Sequence, residues 1–305
     1  MKVINILFLI FFLCPTAFLN LSIAKNKHHI ENSSYKNDTV NISIKSSKDV
    51  YLESEAIWIE YLTIIDKNMI VFDEAPYIQP YGDLKFSLKN SKNELIKYIG
   101  GQGGRIHSDY YPDTSWDVFN LLNFYGFADR FQYSQLHRKF YLPEGRYTIQ
   151  AYLSCVVKNQ EVIFTSNTIS FSVLKPLGVE EEAHEKLLDI YKQGGKMEYE
   201  EIKIVVSEFD STYKNSVYTS NAKYFLFTWS FIDSNYKNYA KDFLIDLINS
   251  NPDSYYNFSY INSLRKYTES SEEYENLLKI LDRKYFNTIT NKFIKYRING
   301  HIDIN

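Results

Sequence analysis

Ser170-Phe-Ser-Val-Leu-Lys-Pro-Leu-Gly-Val-Glu-Glu-Glu-Ala183 decides the fold, because the hydrophobic period of the chain changes inside it. Upstream, apolar residues fall at every second position, as Ile169, Phe171 and Val173 do opposite Thr168, Ser170 and Ser172. Downstream they fall every three or four, as in Ala183, Leu187, Ile190 and Tyr191. Successive side chains of a strand point to opposite sides of the pleat, so alternation fits a half-buried strand, whereas a period near 3.6 fits a helix with one buried stripe. The seam therefore predicts a β half ending near Val173 and an α half beginning at Glu180. Pro176 and Gly178 mark a linker over 174–179, with a separate core on either side.

Upstream of the seam the alternation recurs. Val40, Ile42 and Ile44 oppose Asn41, Ser43 and Lys45; Leu84, Phe86 and Leu88 oppose Lys85, Ser87 and Lys89; Tyr147, Ile149, Ala151 and Leu153 oppose Thr148, Gln150, Tyr152 and Ser154. The run Ala56–Ile65 is apolar on both faces and predicts a central strand, and Asn90-Ser-Lys-Asn93 predicts a hairpin turn. Several short strands with turn signals between them predict an antiparallel sandwich over 39–175. Downstream, stripes predict helices through Tyr199–Phe209, 219–232, Ala240–Leu247, Tyr260–Leu264, Tyr274–Leu281 and Ile289–Tyr296, of which 219–232 is apolar nearly all round and should be buried. Aligning Ser216, Ser254 and Thr288, each just after an apolar helix, gives spacings close to the roughly 34-residue helix-turn-helix period. The Asn/Asp-Ser/Thr pairs there suit helix N-caps.

Two resemblances follow from these residues. Leu142-Pro-Glu-Gly-Arg-Tyr147 leading into a strand, then Ser166-Asn167 before Ile169–Val173, resembles the last two strands of immunoglobulin-like domains in bacterial secreted proteins, with Tyr147 placed as in a tyrosine corner. The repeat over 179–298 resembles degenerate tetratricopeptide-like hairpins of bacterial envelope proteins, without that family's regular Trp, Gly and Pro positions. Together they imply an all-β plus all-α protein of two domains: an immunoglobulin-like sandwich, then a TPR-like helical array, with residues 299–305 as a tail.

At the N-terminus Lys2, the apolar run Val3–Leu13 and Ser22-Ile-Ala24 read as a signal peptide over 1–24, with retention as an anchor the alternative. Phe11-Phe12-Leu13 lacks the small residues that lipidation at Cys14 would need. The polar stretch 25–38, with His28 and His29, reads as a flexible leader. Of 34 basic and 37 acidic residues only Lys2 lies in the signal, so the mature balance is a mild negative charge with no basic footprint for nucleic acid. Loss of Cys14 would leave Cys155 alone, in the strand-like run Tyr152–Val157, so no internal disulfide is expected and a buried thiol is.

Chemistry-bearing motifs are weak. Gly100-Gly-Gln-Gly-Gly104 lacks the Lys-Ser/Thr and helix of a phosphate loop, and His107, Asp109 and Asp113 carry no metal-ligand motif. G-x-S-x-G and H-E-x-x-H are missing from the sequence. The aromatic insertion over 105–130 is the one candidate surface. Tyr110, Tyr111, Trp116, Phe119 and Tyr125 are its possible partner-binding anchors, and burial in the end of the sandwich is the competing reading.

The expectation is thus a non-catalytic exported protein, periplasmic or extracellular, that binds or scaffolds another protein or an envelope polymer. No cofactor, metal, nucleic acid or membrane span after signal cleavage is expected. The alternatives are an inhibitor or chaperone of a secreted protease acting through 105–130, and an envelope-polymer hydrolase using carboxylates.

Overall fold

The computed structural model describes residues 39–73, 76, 83–96, 114–121, 142–194, 196–231 and 236–299. Two β-sheets precede a helical region. Strands β1 (Val40–Ser46), β3 (Trp58–Ile65) and β5 (Thr114–Asn120) form an antiparallel sheet in the order β1-β3-β5. The second sheet has the order β2-β7-β6-β4, with β2 (Val50–Leu52) parallel to β7 (Gln160–Leu174) and with β6 (Gly145–Val157) antiparallel to both β7 and β4 (Leu84–Asn90). The alternating residues named above form the core between the sheets: Ile42, Ile44, Leu84, Leu88, Ile149, Leu153, Phe171 and Val173 are all buried. Phe86 of one sheet meets Phe119 of the other with ring centroids 4.6 Å apart.

One irregularity joins the sheets at their edge. Between Gln150 and Tyr152 the β6–β7 register slips, so that Ser166 and Asn167 together face Ala151. Ser166 Oγ accepts the Ala151 N–H at 2.9 Å, and this frees the Asn167 side chain to bridge to β1. Its Oδ1 accepts from Ile44 N at 2.9 Å and its Nδ2 donates to Ile44 O at 3.0 Å. The amide thus occupies a backbone edge position on β1 that an additional strand would otherwise fill. Tyr147 donates from its phenol to Pro143 O at 2.7 Å, fixing the turn that enters β6.

Seven helices follow among the described residues: α1 (Val179–Gly194), α2 (Tyr199–Thr212), α3 (Thr219–Ser230), α4 (Tyr236–Ser250), α5 (Asn257–Leu264), α6 (Ser271–Lys284) and α7 (Ile289–Asn299). Consecutive helices pack as pairs, α2 on α3, α4 on α5 and α6 on α7. As its composition predicts, α3 is central; it supplies Ala222, Phe225 and Leu226 to one apolar cluster and Phe227 to the other. Gly194, the last residue of α1, is a glycine for a packing reason, since a Cβ there would lie 2.4 Å from the Phe225 ring. None of the described helices is long and apolar enough to cross a membrane.

The aligned turns share a hydrogen-bond pattern, but of the three hydroxyls only Thr288 caps its helix as expected, accepting from Asn291 N at 3.3 Å. Ser216 Oγ accepts from Tyr218 N at 3.1 Å and Ser254 Oγ from Tyr256 N at 3.3 Å, one turn ahead of helices whose N-cap residues are Tyr218 and Tyr256. Three residues after each aligned hydroxyl, a buried polar side chain reaches back to a backbone carbonyl that precedes the turn. Thr219 donates to Tyr213 O at 2.6 Å, Asn257 to Asn251 O at 2.8 Å and Asn291 to Asp282 O at 3.1 Å.

The change of element type falls where the sequence puts it, with β7 ending at Leu174 and α1 starting at Val179. The expected division of the core does not. Alternation sends Ile59, Tyr61 and Phe119 into the sandwich and Trp58, Leu62, Trp116 and Val118 to the opposite face of the same sheet. There they join one apolar cluster with Tyr256, Ile261, Phe293 and Ile294 of the helical region. Residues 36–305 accordingly form one compact unit. The physical reason is that β3 and β5 carry apolar side chains on both faces, so helices cover the outer face of these two strands, whereas the outer face of β1 is polar and exposed.

Candidate binding cleft

The two halves are locked by the tight turn between β2 and β3. Ser54 adopts a left-handed φ of 64°, and this directs backbone carbonyls outward to the helices. Tyr218, fully buried, donates to Glu53 O at 2.6 Å, and Asn221 Nδ2 donates to Ser54 O at 3.0 Å. His184 lies with Nε2 3.0 Å from Ser54 Oγ and its ring stacked on Tyr218. Burial lowers the His184 pKa, partly opposed by Glu53 and Glu185. Burial likewise pushes the Tyr218 phenol well up, helped by Glu55, Glu180 and Glu53, so it remains a donor across the physiological range.

Beside this junction opens a cleft of about 820 Å³. Its β wall is the β1–β2 turn, where the Tyr51 phenol gathers Ser46 Oγ (2.7 Å), Ser47 Oγ (2.8 Å) and Lys48 N (3.1 Å). Glu55 belongs to the same wall; it accepts from Leu52 N at 3.0 Å and forms an ion pair with Lys48. The opposite wall consists of two of the repeated turns, with Lys214, Asn215 and Ser220 from the first and Asn251 and Asp253 from the second. Asn251 Nδ2 reaches Ser220 Oγ at 3.3 Å, so successive turns are in register along the wall.

Trp58 and Tyr255 line the cleft between the walls, stacked with centroids 5.9 Å apart and planes at 21°. Tyr256 meets Trp58 edge-on at 4.9 Å. Behind them Glu60, a buried carboxylate, accepts from the Tyr255 phenol at 2.8 Å and pairs with Lys292. A buried charge is tolerated when paired and hydrogen-bonded, and this one has both. Burial and the Glu60 charge push the Tyr255 phenol far up, so it stays protonated and keeps donating.

The sequence candidates lie elsewhere. Trp116 is 4% exposed and packs on Phe293 (5.6 Å), Tyr296 (4.9 Å) and Phe258 (6.2 Å), with Lys292 Nζ 5.2 Å from its ring centre. Phe119 is 8% exposed and faces Tyr61 and Phe86 inside the sandwich. Both are corrected from partner anchors to core: they belong to β5, whose alternation sends them to opposite buried faces of one sheet. Tyr110, Tyr111 and Tyr125 lie outside the described residues, as do Gly100–Gly104, His107, Asp109, Asp113, the signal segment and the leader. Among the described residues, no three His, Cys, Asp or Glu side chains gather to hold a metal ion.

Cys155 is buried, its Sγ 3.8 Å from Val162 O, and burial with Asp83 and Glu161 nearby pushes its thiol up to about 12. The cleft itself was missed from sequence because its walls come from turns some 160 positions apart in the chain. The repeated Ser-x-x-Thr/Asn spacing at 216–219 and 254–257 was its one legible signal. Comparison with protein families, characterised proteins and solved structures finds no match to this chain.

Proposed function

We propose that the chain is an exported, non-catalytic binding or scaffolding protein whose ligand occupies the cleft between sandwich and helical array. The observation that carries this reading is the junction at Glu53-Ser54. Because Tyr218 and Asn221 hold those two carbonyls, both walls belong to one body and the cleft is preformed. A preformed site loses little conformational freedom on binding, which leaves more of the contact energy for affinity. The strand orders β1-β3-β5 and β2-β7-β6-β4, with the Tyr147–Pro143 bond, support the immunoglobulin-like reading. The three helix pairs with their recurring turn bonds support the tetratricopeptide-like one. Such scaffolds host many roles, so the reading rests on the cleft and not on the folds.

The test is a photo-reactive amino acid placed at exposed Asn215 in the cleft and, separately, at exposed Lys279 on α6, in the protein as its producing cell makes it. A discrete adduct from position 215 and none from 279 is the expected result. Equal labelling from both positions, or none from 215, overturns the assignment of the cleft.

A further inference from the structure

We infer that the cleft takes a neutral carbohydrate chain; this deepens the reading above and rests on it. The first ground is charge. The cleft's ionic side chains are largely consumed in pairs, Lys48 with Glu55 and Lys223 with Asp210 at 2.9 Å. A strongly charged ligand would find like and unlike charges in equal number, with no net field to attract it.

The second ground is the kind of polar group on offer. Asn215, Ser220 and Asn251 present amides and a hydroxyl along one wall. An amide carries donors and an acceptor on one side chain and a hydroxyl is both at once. A sugar hydroxyl is also donor and acceptor, so each such group pairs with it in either sense. Asn215 is exposed and makes no side-chain hydrogen bond among the described residues, which leaves its whole amide for a ligand.

The third ground is the apolar surface between the walls. One face of a pyranose ring carries mainly C–H groups while its rim carries hydroxyls. Its complement is a flat aromatic surface bordered by neutral polar groups. Trp58 and Tyr255, both half-buried, turn one face to each other and line the cleft with the remaining ring surface; the stack between them, the perpendicular Tyr256 ring and the Tyr255–Glu60 bond hold that surface fixed before a ligand arrives. A cleft of about 820 Å³ falls in the range of small-molecule sites and has room for more than one sugar ring.

The experiment is calorimetric titration of the full chain with linear tetrasaccharides of glucose, mannose and N-acetylglucosamine. At least one is expected to bind. Asn215→Ala should weaken it by about tenfold, the loss of one hydrogen bond, with the melting temperature unchanged. Trp58→Phe, which keeps an aromatic ring in the packing, should weaken binding by a smaller factor. Binding that neither substitution alters puts the sugar elsewhere and overturns the inference. If no tetrasaccharide binds but the cross-linker at position 215 captures a polypeptide, the carbohydrate assignment falls and the cleft reading stands. If neither sugar nor cross-link is found, both fall together.

Discussion

Replacing Trp116 with alanine tests whether sandwich and helices share one core. An indole of this size buries about 150–250 Å², which at about 25 cal/mol per Å² corresponds to roughly 4–6 kcal/mol of lost burial. The alanine methyl recovers a little of this, and large-to-small aromatic changes cost about 3–5 kcal/mol, so about 4 kcal/mol is the expected loss. That is a large share of a typical stability of roughly 5–15 kcal/mol. The indole packs on Phe258, Phe293 and Tyr296, so the loss should fall on both halves. Two tryptophans remain as reporters, Trp58 in β3 and Trp229 in α3. Urea unfolding followed by tryptophan fluorescence and by helical circular dichroism should give one coincident transition, moved to lower denaturant by the substitution. Helices that keep their wild-type midpoint while fluorescence moves, or a loss under about 1 kcal/mol, would refute the shared core.

Other substitutions probe single features. Asp117 has its pKa raised from 3.8 to about 6 by burial, opposed by the Val118 N–H and Arg297; its ionised form therefore costs stability above about pH 6, and the cost fades as pH falls toward 3.8. Asp117→Asn should raise the melting temperature at pH 7.5 and lose that advantage near pH 4, and a constant or opposite effect contradicts the assignment. Tyr147→Phe removes the bond to Pro143 and should cost about 0.5–1.5 kcal/mol by denaturant titration; an unchanged midpoint means the bond contributes nothing. Cys155 should react with a thiol reagent only as the protein unfolds, because burial keeps the thiol protonated. Rapid labelling of the native chain at pH 8 is the contrary outcome.

The sequence made single faces legible and left their partners hidden. Alternation in Val40–Ile44 and Tyr147–Leu153 locates strands because one side of each is apolar. The run Ala56–Ile65 showed two apolar faces, but nothing in it says that the second is covered by helices two hundred residues on, so the seam at 174–179 read as a boundary between cores. The β6–β7 hairpin was equally hidden. Its turn, Lys158-Asn159, lacks glycine, and both residues hold positive φ while Asp73, 85 residues upstream, accepts from Lys158 N. The ring-rich insertion 105–130, which contains β5, suggested a surface because aromatic content alone does not distinguish an anchor from a core side chain. The cleft depends on Ser54, Tyr218 and Asn221 meeting across the fold, and no spacing announces that.

The central claim is that the cleft is preformed by two walls of one body, and a distance measurement across it tests this most directly. Spin labels at Asp49 and Lys214, both exposed, sit on the β1–β2 turn and the first helical turn, with Cys14 and Cys155 changed to serine. Pulsed dipolar spectroscopy on the ligand-free protein should give one narrow distance distribution, which Tyr218→Phe broadens by removing the bond to Glu53 O. A broad or two-peaked distribution in the otherwise unaltered protein would show walls that move independently, and would contradict the claim.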